Sequence, residues 1–83
     1  MFNPQLKTFV AVADCGSFNK AAEELYISPP SVMKQLNALE KHLELKLLTR
    51  TNQGIKLTAA GQVIYRYAKE FFERSEQAIT EAR

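Results

Sequence analysis

The sequence predicts a small, mainly α-helical domain of three helices and a short β-hairpin, followed by a fourth, longer helix. Apolar residues recur at helical spacing through most of the chain, one stretch near residue 50 alternates instead, and glycine, proline and capping residues mark the breaks. The 83 residues suffice for one small domain. Because 46% of them are hydrophobic and 24% charged, the composition favours a folded chain over a disordered one.

The first two helices are short and a glycine separates them. Asn3 and Pro4 are typical of an N-cap and a first helical position, and predict where the first helix begins. Gly16 ends it, since glycine is the usual residue just past a helix end. Ser17 then caps a second helix, which carries two adjacent alanines that allow another helix to approach closely.

The third helix begins with two prolines. Ser28 is the predicted N-cap, so Pro29 and Pro30 fill the first two helical positions, where a missing N–H has no intrahelical partner to lose. The helix runs to about Leu43. Four residues at steps of four, three and four form its inward face: Val32, Leu36, Leu39 and Leu43. The opposite face carries Pro30, Met33, Lys34, Asn37 and Lys41.

Residues 45–57 change to a period of two. Leucine and isoleucine alternate with Lys46 on one side of residues 51–54 and with Lys56 on the other, which predicts a β-hairpin. Asn52 and Gly54 are placed in the turn because both tolerate the positive φ that such turns need.

Thr58 is the predicted cap of the fourth helix, which continues to the last residue. Its apolar surface is too wide for one small domain to cover, so we expect part of it to contact a partner chain. The residues assigned to this dimerisation surface are Ile64, Tyr65, Ala68, Phe71, Phe72, Ser75, Ala78, Ile79 and Ala82. No glycine or proline ends the helix, so Arg83 is expected to be a cut point within a longer protein.

The link between the second and third helices has a specific spacing. Ala22, Ile27 and Val32 follow one another at steps of five, which suits a small residue where two helices cross, an apolar plug in the turn and a core anchor on the next helix. This arrangement predicts a helix-turn-helix, and the hairpin makes it a winged one. Residues 1–57 would form the winged helix-turn-helix and residues 58–83 a linker helix for dimerisation.

Charge along the chain fits a polyanionic partner. Residues 34–56 carry five basic and two acidic side chains, a net charge of +3, whereas the net charge of the whole chain is +2. Cys15 is the only cysteine, so a disulfide within the chain or a multi-cysteine zinc site is excluded. The sequence offers no nucleophile–base pair, metal cluster or phosphate-binding loop, so we expect neither an enzyme nor a cofactor. It also lacks a signal peptide and a membrane-spanning run.

The segment GSFNKAAEELYISPPSVMKQLNALEKHLELKLLTR, followed by IKLTAAG, resembles the DNA-binding domain of LysR-type bacterial transcriptional regulators. The resemblance covers essentially the whole chain. Residues that match the family pattern are Gly16, Ser17, Phe18, Ala21, Ala22, Ser28, Pro30, Leu39, Glu40, Leu47, Arg50, Leu57, Thr58 and Gly61.

The resemblance implies a mode of action. It implies a winged helix-turn-helix whose long linker helices pair two subunits, with a C-terminal effector-binding domain that this sequence lacks. It further implies a cytoplasmic, nucleoid-associated regulator that binds interrupted palindromes in double-stranded DNA as a dimer of dimers and activates or represses transcription.

This chain departs from the family pattern at four positions. Pro29 stands where the family commonly has glutamine, and Met33 where it has serine or threonine; both are expected on the DNA-facing surface. Glu44 replaces a usual glycine and Leu48 a usual phenylalanine, changes that concern turn geometry and packing.

The candidate DNA-contacting residues lie on the third helix and the hairpin: Ser28, Pro29, Pro30, Ser31, Met33, Lys34, Asn37, Arg50, Asn52, Gln53, Lys56 and Thr58. Lys34 is the leading candidate for a base edge or phosphate, and Asn37 for adenine or phosphate. The two serines and Thr58 are first of all caps, with phosphate contacts secondary. Met33 is expected either to touch a thymine methyl or to act as a spacer.

Arg50 and the wing have their own alternatives. Arg50 resembles the family's phosphate-clamping arginine, and the alternative is a salt bridge to Glu40 or Glu44. Asn52, Gln53 and Lys56 belong to the wing and would approach the DNA backbone or minor groove. For the chain as a whole, the alternative function is a winged-helix module for protein interaction and dimerisation, without specific DNA binding.

Overall fold

The computed structural model describes residues 4–83, which form four helices and one antiparallel hairpin. The helices are α1 (Pro4–Cys15), α2 (Phe18–Leu25), α3 (Pro29–Leu43) and α4 (Ala59–Ala82), and the strands are β1 (Leu48–Thr51) and β2 (Gly54–Leu57). The mainly α winged helix-turn-helix with a long final helix is therefore confirmed. The predicted cap Asn3 lies outside the described residues.

Three predicted N-caps are confirmed by their hydrogen bonds. The Ser17 and Ser28 hydroxyls each accept from the backbone N–H three residues on, at 3.3 Å, and Thr58 accepts from the Gly61 N–H at 2.9 Å. Pro29 and Pro30 occupy the first two positions of α3, as predicted.

Two helices end in left-handed residues that are not glycine. Tyr26 after α2 has a φ of 58° and Glu44 after α3 a φ of 56°. After α3, the Leu45 N–H donates to the Glu40 carbonyl at 3.1 Å and the Glu44 N–H donates to the Lys41 carbonyl at 3.3 Å, which is a Schellman motif. Glu44 thus occupies a position that favours glycine.

The hairpin differs from the sequence prediction in two details. Strand β1 begins at Leu48 and excludes Leu45 and Leu47, because the Glu40 carboxylate accepts hydrogen bonds from the Leu47 and Leu48 amides at 2.7 and 3.3 Å and holds this segment on α3. Asn52 lies in the turn, as predicted, but without a positive φ; the positive φ, of 121°, is at Gly54, the first residue of β2. The Thr51 hydroxyl stabilises the turn by accepting from the Gln53 N–H at 3.2 Å.

The hydrophobic core lies where α1, α2 and α3 meet and is closed by the hairpin and the first half of α4. Its fully buried large side chains are Phe9, Val12, Val32, Leu39 and Leu47. A side chain at Gly61 would bring its Cβ to 2.1 Å from the Leu47 carbonyl oxygen, so α4 can pack this closely only with glycine there. Among residues 4–83, no helix is long and apolar enough to cross a membrane.

Candidate nucleic-acid interface

An open groove of about 960 Å³ lies between the start of α2, the first half of α3 and the hairpin. We call it the front groove. Its lining residues are Gly16, Ser17, Phe18, Asn19, Pro29, Pro30, Met33, Lys34, Asn37, Arg50, Gly54 and Ile55. This lining contains two cationic side chains and no carboxylate, so the groove favours an anionic partner.

The first turn of α3 presents an exposed apolar edge. Pro29 and Pro30 are both exposed and line the groove. Ser28 and Ser31 are engaged with each other, because the Ser28 hydroxyl accepts from the Ser31 N–H and the two hydroxyl oxygens lie 2.9 Å apart. Ser28 is therefore the N-cap of α3, as predicted, whereas the prediction that Ser31 is a cap is wrong, because Ser31 is the third helical residue and its N–H is the capped group.

Lys34 and Asn37 lie one turn apart on the exposed face of α3. Both are exposed and both line the front groove. Across the described part of the chain, neither side chain has a hydrogen-bond or ion-pair partner. Their donors are thus available to a molecule that occupies the groove.

Arg50 projects from β1 into the front groove and is held there by two side chains. Its guanidinium carbon lies 4.7 Å from the centre of the Phe18 ring, and its Nη2 lies 3.1 Å from the Met33 sulfur. It forms no ion pair with any residue between 4 and 83. The alternative, a salt bridge from Arg50 to Glu40 or Glu44, is not observed. The Glu40 carboxylate instead accepts from the backbone amides of residues 47 and 48 and lies 3.7 Å from the Lys46 ammonium.

Six of the candidate residues lie outside the groove lining, among them Ser28 and Ser31 of the third helix. Asn52, Gln53 and Lys56 are exposed on the hairpin beside the groove. Thr58 is half-buried. Its hydroxyl donates to the Lys46 carbonyl and accepts from the Gly61 N–H, so these hydrogen bonds stabilise the junction with α4.

Six lining residues were not among the predicted DNA contacts: Gly16, Ser17, Phe18, Asn19, Gly54 and Ile55. Asn19 is an exposed polar residue in the first turn of α2, and Ile55 is half-buried opposite Arg50 in the hairpin. The signal for Asn19 was its position at the start of the first helix of a helix-turn-helix, which crosses the DNA backbone in known complexes. Nothing in the sequence pattern distinguishes Ile55 from a core residue.

The residues assigned to dimerisation divide into two groups. Ala68 and Ser75 are buried, and Ile64, Tyr65 and Phe72 are half-buried against the chain's own core. Exposed apolar residues form a separate line, which we call the outer stripe: Val63, Tyr67, Phe71, Ala78 and Ala82. Ile79 is also exposed. Val63 and Tyr67 were not among the predicted dimerisation residues.

Cys15 and the acidic residues show no reactive arrangement. Burial and a hydrogen bond from its thiol to Glu24, at 3.4 Å, raise the pKa of Cys15, so the thiol stays protonated at neutral pH. Within residues 4–83 there is no group of three or more histidine, cysteine, aspartate or glutamate residues that could hold a metal ion.

The fold and the front groove define a winged helix-turn-helix protein. The family described as bacterial regulatory helix-turn-helix proteins of the lysR family matches residues 4–62. The chain therefore belongs to the LysR family.

Individual relatives agree with this assignment. The HTH-type transcriptional regulator TfdT of Cupriavidus pinatubonensis is 47% identical over 66 residues, which cover 80% of this chain and 29% of TfdT. The DNA-binding domain of CbnR, solved with DNA, is 38% identical with a TM-score of 0.89, over 100% of this chain and 95% of that one. The DNA-binding domain of BenM, solved with catB site 1 DNA, is 34% identical with a TM-score of 0.92, over 99% and 92%.

The relatives differ in how much of them this chain covers. It spans less than a third of TfdT and about a quarter of the nitrogen assimilation regulatory protein nac of Escherichia coli, but nearly all of the two solved DNA-binding domains. TfdT and CbnR are transcriptional regulators.

Proposed function

We propose that this chain is the DNA-binding domain of a LysR-type transcriptional regulator, which binds double-stranded DNA sequence-specifically as a homodimer. The observation that carries the proposal is the front groove, where Lys34, Asn37 and Arg50 lie together with no carboxylate among the lining residues. The DNA complexes of the CbnR and BenM domains, which share this fold, support it.

The exposed half of α3 fits the proposed partner. A B-DNA major groove is about 12 Å wide and admits one α-helix. Lys34 and Asn37 lie on the exposed face that would enter it, where lysine can donate to guanine and asparagine can bind adenine at two atoms. We assign base contacts to these two residues and to the apolar edge of Pro29 and Pro30, and secondary phosphate contacts to Ser28 and Ser31.

The hairpin supplies the second part of the proposed interface. Arg50 would contact a phosphate at the edge of the major groove, and Asn52, Gln53 and Lys56 would approach the backbone or minor groove beyond it. Contacts of this kind fix the register of the protein on DNA and carry no base sequence by themselves. Thr58 is assigned to the junction of hairpin and α4.

The outer stripe would pair two copies of the chain. Residues 58–83 act as the linker helix in this proposal, although their first half also closes the core formed with the described residues 4–57. A twofold dimer presents two α3 helices to two DNA half-sites. In the full-length protein, a cytoplasmic tetramer would couple them to a small-molecule effector through a C-terminal domain.

The test is binding of this chain to a pool of random-sequence duplexes at several salt concentrations, with sequencing of the bound fraction. We expect the logarithm of affinity to fall linearly with the logarithm of salt concentration and related half-sites to be enriched. Arg50→Ala should make the slope of log affinity against log salt concentration less steep by about 0.9, the value for one phosphate contact.

Arg66→Ala is the matched control, because Arg66 on α4 is also exposed and lies 5.2 Å from an aromatic ring centre, that of Tyr67. It should leave the slope unchanged. Absence of salt-dependent DNA binding would refute the proposal and favour the protein-interaction module instead.

A further inference from the structure

We infer that Met33 acts on DNA binding through Arg50: together with Phe18 it forms a shelf that orients the Arg50 guanidinium toward a phosphate. Met33 is then a positioning residue and makes no base contact of its own. The inference rests on the proposed function and deepens it, since it concerns how the phosphate-binding group is held.

The shelf is built from two helices and carries a side chain of the hairpin. Phe18 is the first residue of α2, Met33 lies in the second turn of α3, and Arg50 is in the middle of β1. The Arg50 guanidinium lies over the Phe18 ring at 4.7 Å, and its Nη2 points at the Met33 sulfur from 3.1 Å. The three side chains thus link α2, α3 and the hairpin at the floor of the front groove.

The chemistry of the shelf suits an arginine that must stay available. A thioether sulfur is only a weak acceptor, and an aromatic ring attracts the guanidinium through its face. Neither group neutralises the positive charge, whereas a carboxylate would compete with phosphate for it. Arginine has five N–H donors, so the contact of Nη2 with Met33 leaves donors free on the guanidinium edge.

The same geometry argues against a direct base contact by Met33. Its side chain is half-buried and its sulfur is directed at Arg50, whereas Pro29 and Pro30 on the same face are exposed. Thymine methyl contacts therefore belong to the two prolines. A serine at position 33 ends at Oγ and is too short to reach the guanidinium in the place of the sulfur.

A double-mutant cycle tests whether Met33 acts through Arg50. Affinity for the best duplex from the random pool is measured for wild type, Met33→Ser, Arg50→Ala and the double variant. We expect Met33→Ser to weaken binding roughly two- to fivefold, the effect of losing one weak hydrogen bond. In the Arg50→Ala background Met33→Ser should have no further effect. Met33→Leu, which keeps the apolar surface, should retain most of the affinity.

A second measurement does not depend on DNA. In the free chain labelled with ¹⁵N arginine, the ¹⁵N relaxation of Arg50 Nε reports the order of its side chain on the picosecond to nanosecond scale. Met33→Ser should lower this order, and Arg66 Nε should be unchanged as the internal control. A wild-type chain that binds no DNA would refute the proposed function. If Met33→Ser still lowers the order of Arg50 Nε in that case, the shelf itself stands.

Two results would overturn the inference. The first is a Met33→Ser penalty that persists in the Arg50→Ala background and disappears on a duplex carrying uracil for thymine, which would make Met33 a thymine-methyl contact. The second is an Arg50 Nε whose order is the same in wild type and Met33→Ser, which would show that the shelf does not hold the guanidinium.

Discussion

The phenol of Tyr65 donates a hydrogen bond to the carboxylate of Asp14 and so joins α4 to α1 across 51 positions of sequence. The Lys69 ammonium lies 3.5 Å from the same carboxylate and 5.8 Å from the centre of the Tyr65 ring. This three-residue cluster holds the first half of α4 on the body of the domain. It thereby fixes where the exposed second half of the helix points.

The cluster predicts a loss of stability at alkaline pH. The hydrogen bond to Asp14 raises the pKa of Tyr65 above its usual 10.0, and the negative charge of Asp14 raises the pKa of Lys69 above 10.5. Both folded pKa values exceed the unfolded ones. The contribution of Tyr65 and Lys69 to the free energy of unfolding is therefore complete below about pH 10 and is lost as pH rises through the folded pKa values. Tyr65→Phe should lower the free energy of unfolding at pH 7 by about 0.5–1 kcal/mol.

Urea unfolding at pH 7 and pH 11 measures this effect. The difference between wild type and Tyr65→Phe should shrink at the higher pH. Tyr26→Phe is the control, because Tyr26 is 94% exposed and its hydroxyl has no partner in the described structure. An equal loss in both variants would contradict the role of Asp14.

Gly61 should tolerate no side chain. Gly61→Ala would place a methyl carbon 2.1 Å from the Leu47 carbonyl oxygen, so α4 must move away from the segment that leads into β1. We expect a loss of roughly 2–3 kcal/mol in urea unfolding, although alanine is the better helix former. Gln62→Ala, at the exposed neighbouring position, should be close to neutral. A stabilised Gly61→Ala variant would show that α4 shifts without penalty.

Glu44→Gly should stabilise the domain. Glu44 has a φ of 56°, a left-handed conformation that disfavours a Cβ, and it is exposed with no ion pair within residues 4–83. Relief of this strain exceeds the extra freedom that glycine gives the unfolded chain, so we expect a gain of about 0.5–1 kcal/mol in urea unfolding. Glu44→Ala keeps the Cβ and removes the charge. An equal gain from alanine would show that charge, and not backbone conformation, sets the effect.

The outer stripe predicts self-association. Phe71 is 41% exposed in the middle of it, so Phe71→Glu should place a charge in the dimer contact and shift the chain toward monomer in analytical ultracentrifugation. Leu45→Glu is the matched control: Leu45 is 40% exposed but lies between α3 and β1, outside the outer stripe. A wild-type chain that stays monomeric at all concentrations would rule out this role of the stripe.

Local chemistry explains why so much of the fold could be predicted from sequence. Ser17, Ser28 and Thr58 cap helices through bonds to residues three positions away, so the signal lies within one turn. The start of β1 was mispredicted because the Glu40 carboxylate binds the amides of residues 47 and 48, a contact that period-two patterning cannot reveal.

The site was harder to predict because its arrangement depends on packing. The sequence placed Arg50 at the base of the hairpin, but its contact with Met33 joins side chains 17 positions apart and depends on how the hairpin lies against α3. The width of the apolar surface on α4 was also visible in the sequence. The sequence did not show which of these side chains pack on the chain's own core and which are exposed. Tyr65 donates a hydrogen bond to Asp14 on α1, whereas Tyr67 is 59% exposed.

Pro29→Gln should change which DNA sequence is preferred more than it changes overall affinity. Pro29 is exposed at the first position of α3 and lines the front groove, so glutamine there can extend an amide toward a base edge. The fold should be preserved, because the N–H that glutamine restores needs no partner within the helix. Selection from a random duplex pool by wild type and variant measures the preference. Ala38→Gln, exposed on α3 but outside the groove lining, is the control. If wild type and Pro29→Gln select the same sequences, residue 29 makes no contact with the bases.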